Sequence, residues 1–222
     1  VSNHLNNGKA AIFDLDGTLL DSMGVWDELD AQSLAKRNIE VPEDFSTTVA
    51  SMQFRDIAVY TIARFGLTDT PEDLMQEWNG MAAEAYATTV QLKPHAAEYL
   101  EYLYESGAKL AVATTLPPEL RNPALQHAGI SEYFSAICSV DDAGGNGKEH
   151  PDVYLHAASL LGIAPKHCTV FEDLLVGINT AGSIGMHPWA MFDASSEQQW
   201  QDISALAEGA IHDFSDAPRE LL

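Results

Sequence analysis

The chain has 222 residues, 46% of them apolar, and 33 acidic against 11 basic side chains give it a formal charge of −22. That length and apolar content support one sizeable core, with or without a small second domain, and need no disulfide or metal staple. The acidity argues against nucleic acid and anionic membrane as partners, because both select clustered Lys and Arg.

A surface this acidic also repels phosphorylated ligands at long range. Any phosphate site must therefore create local positive potential from a metal, a lysine or helix N-termini. Cys138 and Cys168 have neither metal-ligand spacing nor a disulfide pattern, which suits a reducing compartment. No secretory signal is visible, and no stretch approaches the ~18 apolar residues of a membrane span. The expectation is a soluble, cytoplasmic monomer.

In chain order, the run Ala10-Ala11-Ile12-Phe13 reads as a buried strand that ends abruptly in Asp14. From about residue 22 to 90 the periodicity is helical. Val25, Leu29, Leu34 and Ala35 form one stripe, Ile57, Ala58, Ile62 and Phe65 a second that Gly66 stops, and Leu74, Trp78, Met81, Ala82 and Ala85 a third. Pro94 then opens a helix that Gly107 stops, followed by the strand Lys109–Thr114. Pro123 points to a helix that starts late, near Asn122. Ala136–Val140 is strand-like, Pro151 and Gly162 bracket a helix, and Cys168–Phe171 is a strand. A helix runs from about Leu174 to near Gly185, and Trp189–Phe192 is a further strand.

Short apolar strands alternating with amphipathic helices predict an α/β fold, a Rossmann-like parallel sheet core with helices on both faces. The helical stretch predicts a small all-α cap domain. The expected division is 1–20 with 92–222 for the core and 21–91 for the cap, with candidate hinges near Asp21 and Leu92.

The chemistry concentrates at Asp14-Leu15-Asp16-Gly17-Thr18. In open parallel sheets, ligands bind beyond the carboxyl ends of the strands. Alternation points Asp14 and Asp16 the same way, with Leu15 turned aside. Two neighbouring carboxylates repel unless a cation sits between them, and oxygen ligands on a tight backbone suit Mg²⁺. Taken alone, the pair is also compatible with an Asp-Gly turn that caps a strand.

Phe13-Asp-Leu-Asp-Gly-Thr-Leu-Leu-Asp-Ser22 resembles the first motif of the haloacid dehalogenase-like superfamily of phosphatases and mutases. Later segments resemble its other motifs in order. Ala111-Val112-Ala113-Thr114 resembles the second, Gly147-Lys148-Glu149-His150-Pro151-Asp152 the third, and Phe171-Glu172-Asp173-Leu174-Leu175-Val176-Gly177 the fourth. The resemblance spans nearly the whole chain, including a helical cap inserted after the first strand.

It implies a Mg²⁺-dependent phosphatase of a small phosphorylated metabolite, sugar phosphates first. Asp14 would be the nucleophile, forming an aspartyl-phosphate, and Asp16 the general acid and base. Asp14, the Asp16 carbonyl, Asp173 and, directly or through the outer shell, Glu172 would serve Mg²⁺. Thr114, with Thr115 as its rival, would contact the phosphate, and Lys148 both the phosphate and Asp14. In the cap, Arg55 is placed to contact an anion and Trp26 to stack on substrate. Each also has a plain structural reading, as a surface ion pair and a core aromatic.

A β-phosphoglucomutase-like activity is the alternative. Such proteins place a His ten residues after the acid/base Asp, where this chain has Trp26. Dehalogenase chemistry needs no Mg²⁺, and a phosphonatase needs a cap lysine, for which there is only Lys36. A non-catalytic binding protein on this scaffold would be expected to lose Asp14, Asp16 or Lys148, and all three are present.

Overall fold

The computed structural model describes residues 4–49, 52 and 54–222. In chain order, β1 (Ala10–Phe13) and β2 (Leu20–Asp21) precede four helices, α1 (Gly24–Ala35), α2 (Phe45–Val49), α3 (Phe54–Phe65) and α4 (Pro71–Thr88). Next come β3 (Gln91–Leu92), α5 (Ala96–Glu105), β4 (Lys109–Thr114), α6 (Pro118–His127) and β5 (Ala136–Ser139). The chain continues through α7 (Asp152–Leu161), β6 (Cys168–Glu172), α8 (Leu175–Ser183), β7 (His187–Met191), α9 (Trp200–Leu206) and β8 (Gly209–Ile211).

Two compact units result, Val1–Met23 with Val90–Leu222, and Gly24–Thr89. The first contains a six-stranded parallel sheet in the order β5-β4-β1-β6-β7-β8. From β1 the chain works outward through β4 to β5, then crosses back to β6 and works outward the other way. The strand order reverses beside β1, and sheets of this kind bind ligands beyond the carboxyl ends of the strands at such a reversal.

Alternation assigns the two faces of β1. Ala10 and Ile12, with Ala111, Ala113, Cys168 and Val170, pack under Val153, Tyr154, Ala157 and Leu161 of α7. Phe13 takes the other face, stacked on Phe171 at 4.8 Å, with Tyr99 of α5 and Phe214 at 6.4 and 6.2 Å. Asp14 follows Ile12 by two residues, so it continues the α7 side of the sheet.

Several expectations need correction. α6 begins at Pro118 and carries Pro123 inside it rather than starting near Asn122. The hydrogen bond that Pro123 forgoes is tolerated because Leu120, Arg121, Ala124 and Leu125 are all buried. The strand expected at Trp189–Phe192 is His187–Met191, and that at Ala136–Val140 ends at Ser139. Separately, β2 and β3 pair antiparallel at the two crossings and lie within the first unit.

In the helical unit, Leu29, Leu34, Ala58, Leu74, Trp78, Ala82 and Tyr86 are buried. Ala35, expected in the α1 stripe, is exposed, and Ser33 is buried instead. A serine is tolerable there because it is bonded, accepting the Trp78 indole N–H at 3.0 Å and an Arg37 N–H at 3.3 Å. Arg37 also binds Asp69 at 2.6 Å and Glu77 at 3.0 Å, tying α1 to α4. Among the described residues, no helix is long and apolar enough to cross a membrane.

Candidate active site

Past the end of β1 the sheet ladder continues for one bond, the Asp14 N–H donating to the Phe171 carbonyl at 3.0 Å. The chain then turns sharply. Gly17 adopts φ +79°, and its N–H donates to the Leu20 carbonyl at 2.9 Å. The turn buries Leu15 completely, leaves Asp16 half-buried, and aims the Thr18 hydroxyl at Asp173 Oδ1, 3.1 Å away. Asp16 Oδ1 accepts the Ser22 hydroxyl at 2.6 Å.

Lys148 reaches this point from beyond β5. It follows Gly144 and Gly145, both at positive φ, and is 6% exposed. Its Nζ donates to Asp14 Oδ1 at 2.5 Å and to Glu172 Oε1. Glu172 closes β6 and is wholly buried, and the Tyr154 hydroxyl of α7 donates to the same oxygen at 2.7 Å. The structure therefore brings Asp14, Lys148, Glu172 and Asp173 together.

Carboxylate oxygens of Asp14, Glu172 and Asp173 lie within 4.8 Å of one another. Burial, with Glu172 nearby, pushes the Asp14 carboxyl up to about 7, although Lys148 pulls against it. Burial and the charges of Asp14 and Glu172 push Asp173 up to about 9. Burial works against the Lys148 ammonium, but the Asp14 and Glu172 carboxylates outweigh it and hold the pKa above the usual lysine range.

One ammonium cannot neutralise three buried carboxylates. Glu172 Oε2 and Asp173 Oδ2 are buried without a partner, a costly state for a polar oxygen. All the donors are hard oxygens in a tight cluster, so the residues fit a divalent cation of the Mg²⁺ type. The Asp16 carboxylate stands outside this trio.

Thr114 ends β4, next to β1 in the sheet, and is completely buried; its Oγ1 accepts the Leu116 N–H at 3.1 Å. Thr115 is exposed. Within the helical unit, Arg55 pairs with Glu72 at 2.6 Å with both side chains largely in solvent. Trp26 is half-buried, edge-on to Phe54 at 6.1 Å.

Three contacts escaped the sequence reading. Thr18 and Ser22 lie inside the first motif, whose spacing names no partner for them, and Tyr154 lies in the helix that Pro151 and Gly162 bracket. The available signal was chemical: a tyrosine on a fully buried stripe needs a partner for its hydroxyl.

Comparison with known proteins places this geometry in context. The family model of the haloacid dehalogenase-like hydrolases matches residues 9–185. The chain is 25% identical to a phosphorylated carbohydrates phosphatase of Thermotoga maritima, over 80% of this chain and 82% of that one. It is 29% identical to hexitol phosphatase A of Escherichia coli, over 81% of each. A family hydrolase from Deinococcus radiodurans, solved with bound phosphate and sodium, superposes with a TM-score of 0.71 at 25% identity, covering 94% of this chain and 92% of that one.

Proposed function

The chain belongs to the haloacid dehalogenase-like hydrolases and is an enzyme hydrolysing phosphoric monoesters; from that premise we propose a Mg²⁺-dependent phosphatase of small phosphorylated metabolites, sugar phosphates first, acting through Asp14. The observation that carries this reading is the buried quartet of Asp14, Lys148, Glu172 and Asp173, in which one lysine faces three carboxylates. The named relatives that act on phosphorylated carbohydrates and hexitols support the substrate class.

In this mechanism an Asp14 oxygen forms a bond to phosphorus while the ester P–O bond breaks. Asp16 protonates the departing alkoxide, and its carboxylate then takes a proton from water. That water attacks phosphorus, the bond to Asp14 breaks, and inorganic phosphate leaves. Lys148 holds Asp14 in place and presents its charge to the phosphoryl oxygens. Thr114 donates its hydroxyl to one of them. Asp14, Asp173, the Asp16 carbonyl and Glu172 would hold Mg²⁺, which shields the nucleophile from the phosphate charge and stabilises the transferring group. For the leaving group we propose Arg55 and Trp26 of the helical unit, whose partners within that unit are Glu72 and Phe54.

Trp26 occupies the place where a phosphomutase of this kind carries a His, and the retained Asp14, Asp16 and Lys148 favour catalysis over binding alone. The test is hydrolysis of p-nitrophenyl phosphate and a sugar-phosphate panel, with Mg²⁺ or EDTA, by the wild type and Asp14→Asn. Turnover that needs Mg²⁺ and vanishes in the variant is expected. Silence across the panel, or turnover that survives Asp14→Asn, would overturn the proposal.

A further inference from the structure

Tyr154 is wholly buried in α7, yet it ends in a hydroxyl, a group that costs free energy to bury unless it is bonded. That hydroxyl donates to Glu172 Oε1 at 2.7 Å. Lys148 Nζ donates to the same oxygen and stands 5.8 Å from the Tyr154 ring centroid. Glu172 Oε2 is equally buried and has no partner.

The end of a glutamate turns with roughly two-fold freedom. Held by one lysine alone, the plane of the carboxylate could swing about that bond. Two donors converging on Oε1 fix the plane and with it the place of the second oxygen. The space behind is closed as well: a Cβ at Gly177 would stand 2.5 Å from Glu172 Cδ and 2.7 Å from the Tyr154 hydroxyl. The carboxylate is thus held on several sides, with one oxygen saturated and one left free.

We propose that Tyr154 is a positioning residue for the cation site: its hydroxyl engages Glu172 Oε1 so that Oε2 remains the oxygen offered to a divalent ion. This rests on reading Asp14, Glu172 and Asp173 as the Mg²⁺ site. The α7 stripe then does two jobs at one residue, with the Tyr154 ring packing under the sheet and its hydroxyl setting a carboxylate.

The test is Mg²⁺ binding to the full chain by calorimetry, with the metal-free thermal midpoint measured alongside, for wild type, Tyr154→Phe and Tyr154→Leu. Phe keeps the ring and removes only the hydroxyl. The expected result is Mg²⁺ binding about tenfold weaker in Tyr154→Phe, as for the loss of an outer-shell partner. Tyr154→Leu should lower the metal-free midpoint further but weaken Mg²⁺ no more than Phe does. Wild-type affinity in Tyr154→Phe, or a loss confined to Tyr154→Leu, would overturn the inference and leave the cation site standing. A wild type that binds no Mg²⁺ would overturn the cation site and the inference with it.

Discussion

Gly17 and Asp173 are packed so closely that a Cβ on Gly17 would stand 2.5 Å from Asp173 Oδ2. The turn after β1 and the residue after β6 therefore fit together through the absence of a side chain. The positive φ of Gly17 is the second reason for glycine at this position. A residue that looks like punctuation in the sequence sets how near the first and last motifs can come.

Gly17→Ala should accordingly fail twice. The left-handed backbone costs about 1–2 kcal/mol for any residue with a Cβ. The methyl group must also push the Asp173 carboxylate away from Asp14 and Glu172. Activity at fixed Mg²⁺ is expected to fall about 10–100-fold, partly recovered at high Mg²⁺. A Mg²⁺ titration of turnover, run beside the folded fraction of the metal-free variant by circular dichroism, distinguishes a weakened metal site from simple unfolding, since bound metal would also draw an unfolded variant back.

Lys148→Met removes the one ammonium facing Asp14 and Glu172 and leaves two buried acids unpaired. The loss of stability should be about 3–5 kcal/mol, the cost of breaking a buried ion pair from one side. Urea unfolding in EDTA measures it. A variant as stable as the wild type would mean that the carboxylates protonate without penalty and that Lys148 does not organise the cluster.

Mg²⁺ should raise the thermal midpoint of the wild type, since it relieves repulsion present only in the folded chain. At a hundred times the dissociation constant the gain is about 2.7 kcal/mol. Asp173→Asn should be more stable than the wild type in EDTA and should lose the Mg²⁺ gain. Calorimetric melts with and without Mg²⁺ check both signs.

Away from this cluster, Lys93 and Asp193 form a mostly buried pair at 2.6 Å. Burial tends to raise the Asp193 carboxyl, but bonds from Lys93 and Ser195 outweigh it and hold the pKa below the usual range. A depressed folded-state pKa contributes stability above the unfolded value, near pH 4, and the contribution is lost as the pH falls through the folded value. Asp193→Asn should therefore cost about 1.5–3 kcal/mol near neutrality and progressively less below about pH 4. Thermal midpoints of both proteins from pH 3 to pH 7 should converge at the acid end.

Arg55→Ala should raise KM for a sugar phosphate about tenfold, the size of one charged hydrogen bond, with kcat little changed. Its Glu72 partner is exposed, so stability should hardly move. Equal KM values in a coupled phosphate-release assay would remove Arg55 from the substrate.

Much of this was legible in one dimension. The alternation of Ala10 to Phe13, the Pro151 and Gly162 brackets of α7, and acids or a lysine placed after apolar runs follow from local rules of period and punctuation, and the chain obeys them. The order of the motifs along the chain was enough to put Asp14, Thr114 and Glu172 at the carboxyl ends of parallel strands. Elements too short to show a period, such as β2, β3 and β8, were not visible, because two or three residues become a strand only through a distant partner.

The sequence by itself determined which residue types stand at the ends of β1, β4 and β6, because a strand's reach and a helix's ends are local matters. Tertiary structure decided which oxygen of each carboxylate is used. Periodicity names the face on which Tyr154 lies, but only the packing of α7 over β6 brings its hydroxyl to Glu172 Oε1 and leaves Oε2 free. A hydrogen bond depends on positions to within a fraction of an ångström, and those come from how helix and sheet close on each other, not from the spacing of letters along the chain.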